Sequence, residues 1–398
     1  MFIFEYVWSR VSLLQSLKFS AVPLLTAISF GVLCGAPGVV SAKDLRFAFG
    51  NADTHPGYIP VERFAERVSK DTGLNIKLYS MSLLSAAQVA SGLRDGVADI
   101  GWLIHPYHPA KFAESNLIAS LSMLATTDNN SEIPGAAMNG ATMEYTFHNC
   151  PDCLEQFKSQ NLVYTSGAST APYHLLCNKK IATLEDLKGK RIRAGAGNFE
   201  RWANQFDATG VSMPGGDIYG ALSHGVVDCT ANGSSELLGY RFIDVTKSIT
   251  LGVPGGVYSG MAPAIFRRGA WQELTKDQRS AVLKAAAQLA ADTVIAWRES
   301  ENEGMDAARA KGLEIVEASS GLQEATAEFV EQDLAAIEQQ FSSQYGVENV
   351  AEKVNEIRKL VTKWEGLTKD IGNDSGALAQ VYWDEIFSKI DVDSYGMD

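Results

Sequence analysis

Two apolar periods alternate along most of the chain. Leu45-Arg46-Phe47-Ala48-Phe49-Gly50 repeats at every second residue and predicts a strand that empties into the turn Asn51 to Gly57. Val61, Phe64, Ala65 and Val68 then recur at spacings of three and four, predicting a helix that Gly73 ends. Ile76 to Tyr79 reads as a second strand, Ala86 to Leu93 as a second helix and Val97 to Trp102 as a third strand. The order βαβαβ implies a largely parallel sheet covered on both faces.

A second round begins near Tyr164. Strands are predicted at Leu162 to Ser166 and Tyr173 to Asn178. Leu187 to Arg193 then forms a strand that empties into the glycine turn Gly195-Ala196-Gly197. A helix follows to about Thr209, then strand Val211 to Met213, helix Ile218 to Ser223 and strand Val226 to Cys229. Leu93 to Asp99 and Leu222 to Asp228 share the pattern L-x-x-G-V-x-D, each closing a helix and opening a strand. The expected class is therefore α/β with two similar lobes.

Strand Tyr258 to Phe266 reads as a return into the first lobe's sheet. Residues 270–303 contain neither Gly nor Pro, and a helix there would run about 45 Å at 1.5 Å per residue, longer than one lobe is wide. The expected organisation is a first lobe over 43–170 with a return strand at about 258–268, and a second lobe over 171–257. A helix over 270–311 would brace both, and 312–398 would supply amphipathic helices packing on the lobes.

Composition changes this picture at the amino terminus. Arg10 and Lys18 precede an uncharged run, Phe19 to Val40, that ends Val40-Ser41-Ala42 before Lys43-Asp44. Small residues at the last and third-last positions predict a signal peptide over 1–42, cleaved after Ala42. Its removal takes away Glu5, Arg10 and Lys18 and moves the formal charge from −13 to −14. An acidic exported chain argues against nucleic acid, whose phosphates need a basic face. Cys34 leaves with the signal, so Cys150, Cys153, Cys177 and Cys229 remain. In an oxidising compartment two disulfides are expected. The preferred pairing is Cys150–Cys153, which is local, with Cys177–Cys229, on strands placed side by side.

Enzyme signatures are scarce. The chain has no G-x-S-x-G, no H-E-x-x-H and no complete phosphate loop, and Glu200 stands where the dinucleotide fingerprint needs its third glycine. His105 and His108 are three apart, but Pro106 and Pro109 break the helix that would aim both at a metal. No metal and no cofactor are expected. His55, His105 and His174 fall near strand ends with Trp102, Tyr107 and Tyr173 beside them, which suits a cleft lined with rings and donors. Arg193 is the sharpest candidate. It ends its strand against the glycine turn, where its guanidinium could hold a carboxylate by two parallel hydrogen bonds, helped by backbone from Gly195 to Asn198.

At these residues the chain resembles the extracytoplasmic solute-binding proteins of tripartite ATP-independent periplasmic (TRAP) transporters, the DctP-type family. The matching segments are Thr183 to Arg193, Met213 to Leu222 and Gly225 to Asn232, with support from the amino-terminal βα unit, Leu93 to Asp99 and Leu274 to Arg279. The resemblance implies a two-lobed periplasmic binding protein with a long helix crossing both lobes, closure on a small organic acid, and delivery to a small and a large membrane subunit. It places the family's ligand arginine at Arg193 and its binding asparagine at Asn232. Tyr173, His174, Trp102, His105, Asn198 and His55 would complete the cleft. Tyr173 or His174 stands where sialic-acid and many dicarboxylate binders carry a second arginine, which points towards a monocarboxylate. Two alternatives stay open: a receptor for another solute and transporter class, or a secreted oxidoreductase or hydrolase using Cys150-Pro-Asp-Cys153 or the His105/His108 pair.

Overall fold

A computed structural model describes residues 44–127 and 131–398; the expected signal peptide lies outside them. In chain order the strands among the described residues are β1 (Asp44–Phe49), β2 (Asn75–Ser80), β3 (Ile100–Ile104), β4 (Leu162–Val163), β5 (Ala168–Pro172) and β6 (His174–Cys177). They continue with β7 (Arg191–Ala194), β8 (Thr209–Ser212), β9 (Cys229–Asn232), β10 (Ser248–Leu251), β11 (Val257–Arg267) and β12 (Glu314–Glu317). They form two sheets. The first runs β2-β1-β3-β11-β4, with β5 beside the start of β11, and the second runs β12-β10-β6-β9-β7-β8.

Each sheet keeps a parallel core of the expected kind, β2-β1-β3 in one and β9-β7-β8 in the other. The return strand β11 is antiparallel to β3, β4 and β5, and its residues from Val257 to Phe266 are all buried. A strand covered on both faces reads as a continuous apolar run rather than an alternation.

Several boundaries differ from the sequence reading; β3 starts at Ile100 rather than Val97 and β7 at Arg191 rather than Leu187, and three others bear on the site or the sheets. The strand expected at Val226 to Cys229 lies three residues later as β9, because Gly225 takes a left-handed turn (φ 65°) and Val226 and Val227 bond back to Ala221 before the ladder begins. That shift carries Asn232 onto the strand, opposite His174. Only Leu162–Val163 of the longer strand expected there pairs with β11. The stretch expected to continue mostly as helices after the long helix starts with β12, which completes the second sheet beside β10. Four residues, Glu-Ile-Val-Glu, are too few for a period to declare itself.

The bracing helix runs Lys276–Lys311, about 54 Å at 1.5 Å per residue. Thr275 and Gln278 close a capping box at its start, and Gly312 ends it at φ 75°. It packs against helix Tyr58–Thr72, β5 and helix Ser375–Glu385. Near its far end it presses on the turn after β9: a Cβ at Gly304 would stand 2.1 Å from the Ser234 carbonyl oxygen. Ser234 Oγ donates to the Glu301 carbonyl (2.9 Å) and Ser235 N donates to the Glu301 carboxylate (3.2 Å). The helix thus fixes the segment that follows Asn232. Both expected disulfides are formed, Cys150–Cys153 at the start of helix Pro151–Ser159 and Cys177–Cys229 between directly opposed residues of β6 and β9.

Candidate functional site

Arg193 sits on β7, between β8 and β9, with 3% of its surface exposed. Its Nε and Nη2 both donate to the Met213 carbonyl, at 3.0 and 2.9 Å. Among the described residues no carboxylate lies within ion-pair distance of it. The guanidinium lies over Gly195, where a Cβ would stand 3.1 Å from Nη1 and Nη2 and 3.0 Å from the Tyr258 ring. A side chain there would require the ring or the guanidinium to give by a few tenths of an ångström. Arg191, two residues earlier, is 44% exposed and gives Nε and Nη2 to Asp228, each at 3.1 Å. One strand therefore carries one arginine paired with a carboxylate and one without.

A small cavity opens on Arg193. Its walls include His55, Ile104 and Tyr107 from the first lobe, Asn232, Glu236 and Tyr240 from the second, and Trp297 from the long helix. Thr170, Tyr173, Tyr258 and Met261 close it from the strands that join the lobes. Its volume is about 40 Å³, room for about three water-sized spheres. Direct hydrogen bonds hold the lobes together around it: Tyr240 Oη donates to Asn51 Oδ1 (2.8 Å), Gly215 N to Tyr107 Oη (2.9 Å) and Thr54 Oγ1 to the Gly239 carbonyl (2.9 Å). A ligand with an aromatic ring enters only if these bonds part.

Tyr173 packs between Phe199 and Tyr258 with nearly parallel rings, 4.9 and 6.0 Å between centroids. Asn232 accepts from Gly233 N through Oδ1 at 3.0 Å. His55 stands edge-on to Phe49, Trp102, Tyr240 and Trp297 and accepts from Gly57 N through Nδ1. Burial lowers its pKa to about 3, so its ring is neutral at pH 7. Arg193 is thus the one permanent cation among the lining residues.

Four of the eight sequence candidates, Arg193, Asn232, Tyr173 and His55, line this cavity. The structure does not bring the other four to it. Trp102 stands behind His55 in the first lobe's core. His105 turns its ring to Phe157, and burial lowers its pKa to about 3. His174 points to the long helix and bonds Glu301 at 2.9 Å. Asn198 is used between the lobes, donating to Ser122 Oγ at 3.2 Å. Alternation placed these residues near strand ends but could not tell which side of each end faces the cleft.

Glu236, Tyr240, Tyr258 and Trp297 escaped the sequence reading. Glu236 opens the short helix Glu236–Gly239 with 5% of its surface exposed. Burial raises its pKa to about 8; Trp297 and Arg193 pull it down, while Glu301 pushes it up. Neither Glu236 Oε2 nor Trp297 Nε1 has a hydrogen-bond partner of ordinary geometry. The one available signal for Glu236 was a lone charge in the otherwise uncharged stretch from Cys229 to Tyr240.

A family model described as bacterial extracellular solute-binding protein, family 7 (DctP), matches residues 47–341. A solute-binding protein of Albidiferax ferrireducens is 25% identical over 267 residues, 66% of this chain and 75% of that one. Among solved structures, a marine metagenome TRAP solute-binding protein specific for aromatic acid ligands, in complex with metahydroxyphenylacetate, superimposes with a TM-score of 0.68. It is 20% identical and the match covers 81% of this chain and 99% of that one. A TRAP solute-binding protein of Rhodoferax ferrireducens, in complex with copurified benzoate, gives 0.68 at 21% identity, covering 82% and 99%. At these identities the structural likeness establishes the shared two-lobed fold.

Proposed function

The chain belongs to bacterial extracellular solute-binding protein family 7, DctP, a family that binds solutes rather than transforming them, and from that premise we propose that it is the periplasmic receptor of a TRAP transporter. It takes an organic monocarboxylate through Arg193 and delivers it to a small and a large membrane subunit. The observation that carries this reading is a buried guanidinium with no carboxylate of its own. Such a charge is costly unless an anion completes it, and Met213 uses two of its five N–H groups, leaving three for a ligand. Asn232 adds a polar contact, and Tyr173, Tyr258, Tyr240, His55 and Trp297 wall off the rest. A second carboxylate would find no second permanent cation on the lining. Reaching Arg193 requires the lobes to open, and the bonds that cross the cleft re-form on closure.

Benzoate and metahydroxyphenylacetate, bound by two of the structural relatives, are the first acids to try, beside native mass spectrometry for a copurified acid. A bound acid raises the melting temperature of the wild type. In Arg193→Ala its affinity falls on the order of 100-fold or more, since removing one partner of a buried ion pair costs about 3–5 kcal/mol. Equal stabilisation of both proteins by the same acid would remove Arg193 from the role.

A further inference from the structure

We propose that Glu236 is a second ligand anchor, resting on the reading of Arg193 as the carboxylate anchor: its carboxyl O–H donates a hydrogen bond to an uncharged hydroxyl or carbonyl oxygen elsewhere on the same acid. The geometry comes first. Glu236 is four residues beyond Asn232, lines the same cavity as Arg193 and is more than nine-tenths buried. Its Oε2 is wedged against the helix that it opens, 2.8 Å from where a Cβ on Gly239 would stand, and has no hydrogen-bond partner of ordinary geometry. No described cation forms an ion pair with it, although Arg193 acts on it through space. A carboxyl so placed keeps its proton, because the ionised form would be a desolvated, unpaired charge.

The groups around it point the same way. Trp297 on the long helix and Arg193 on β7 favour the ionised form, Glu301 opposes it, and burial outweighs all three. Tyr107 from the first lobe faces this cavity, as do Tyr173 beside β6 and Tyr240 beyond its own helix, whose phenols burial keeps neutral, and His55 is a neutral ring. The two ends of the site thus ask for different things. Arg193 asks for an anion, and Glu236 asks for an oxygen that can accept but carries no charge. A hydroxy, oxo or phenolic monocarboxylate satisfies both. A second carboxylate would find no second permanent cation on the lining, and an ammonium group would demand that Glu236 ionise.

Titration calorimetry at pH 7 and pH 9 tests this with metahydroxyphenylacetate and mandelate as probes, on wild type, Arg193→Ala, Glu236→Gln and Glu236→Ala. With its proton leaving at about pH 8, Glu236 should weaken wild-type binding about tenfold between the two pH values, while acid and guanidinium keep their charges. Glu236→Gln keeps a donor of the same shape, so it should bind at pH 7 and lose the pH dependence. Glu236→Ala should bind more weakly at pH 7 and also lose it. If neither probe binds the wild type, or Arg193→Ala binds equally well, the carboxylate reading falls and this inference with it. If binding depends on Arg193 but wild-type affinity is level from pH 7 to 9, Glu236 alone is excluded. A rise in affinity with pH would also overturn the inference, because an ionised Glu236 would then be accepting a hydrogen bond from the probe's hydroxyl rather than donating one to it.

Discussion

The two lobes begin their central strands with the same device and end them differently. In the first lobe, Arg46 on β1 gives its backbone N and its Nε to Asp99, at 3.0 and 3.2 Å. In the second, Arg191 on β7 gives the same two groups to Asp228, at 2.9 and 3.1 Å. The registers correspond: Phe47 faces Ile100 as Ile192 faces Cys229, and Ala48 faces Gly101 as Arg193 faces Thr230. Two residues beyond each paired arginine the lobes part company. Ala48 is core, while Arg193 faces the cleft without a carboxylate. The ion pair at the strand start is scaffold, used twice; the strand end is where one lobe became a binding surface.

Each lobe also carries one disulfide, and removing them should produce the largest difference between the lobes. Cys177–Cys229 spans 52 residues and Cys150–Cys153 spans 3. On the chain-entropy account, replacing the first pair by alanine costs about 4 kcal/mol and the second about 2. Urea unfolding with unchanged slopes would measure both. Equal losses would mean that loop closure is not what these bonds contribute.

The paired aspartates come next. Asp99 has 8% of its side chain exposed and also accepts from Arg267 on β11 at 2.8 Å, whereas Asp228 has 22% exposed and a single arginine partner. Asp99→Ala should therefore cost about 2 kcal/mol, allowing for the solvent around Arg46. Asp228→Ala should cost less, since solvent screens Arg191. In both, burial favours the protonated acid, but the N–H bonds from arginine outweigh it and hold the pKa below the usual value. A lowered folded-state pKa contributes stability that is present above the unfolded value of about 4 and lost as pH falls below it. Acid unfolding followed by circular dichroism should thus begin at higher pH in Asp99→Asn than in wild type, because the variant lacks that stability at neutral pH, and fall less steeply, because it has one fewer proton to take up, with a smaller change in Asp228→Asn. Superimposable acid transitions would mean that neither pair contributes.

Much of this contrast was legible in the chain. The two L-x-x-G-V-x-D segments end in these aspartates, and a two-residue period ending at a glycine turn singled out Arg193. What sequence could not carry was the side of the cleft. His105 and Asn198 occupy a strand end and a helix start as expected, while Trp102 falls in the middle of β3, and tertiary packing turns each to core or to the opposite lobe. Trp297 was hidden for the opposite reason. It lies in a long alanine-rich helix buried over most of its middle, and a helix covered on nearly all sides offers no polar face from which to read the direction of the site. Glu236 reads as an ordinary surface acid until the long helix is laid over it.

The smallest effect should fall where the lobes differ most. Arg193→Ala removes two hydrogen bonds to the Met213 carbonyl and leaves that acceptor without them, a loss of about 1–3 kcal/mol taken alone. It also removes a buried charge that no carboxylate neutralises, and that gain has the opposite sign and similar size. The stability of the ligand-free protein should therefore change by no more than about 1 kcal/mol, while affinity for the acid collapses. Arg46→Ala inverts the pattern: Asp99 keeps Arg267 but loses the Nε bond, so stability falls and ligand affinity does not. Measuring unfolding free energy and acid affinity for both variants separates scaffold from site. A large stability loss in ligand-free Arg193→Ala would show that this arginine, too, is held for the fold.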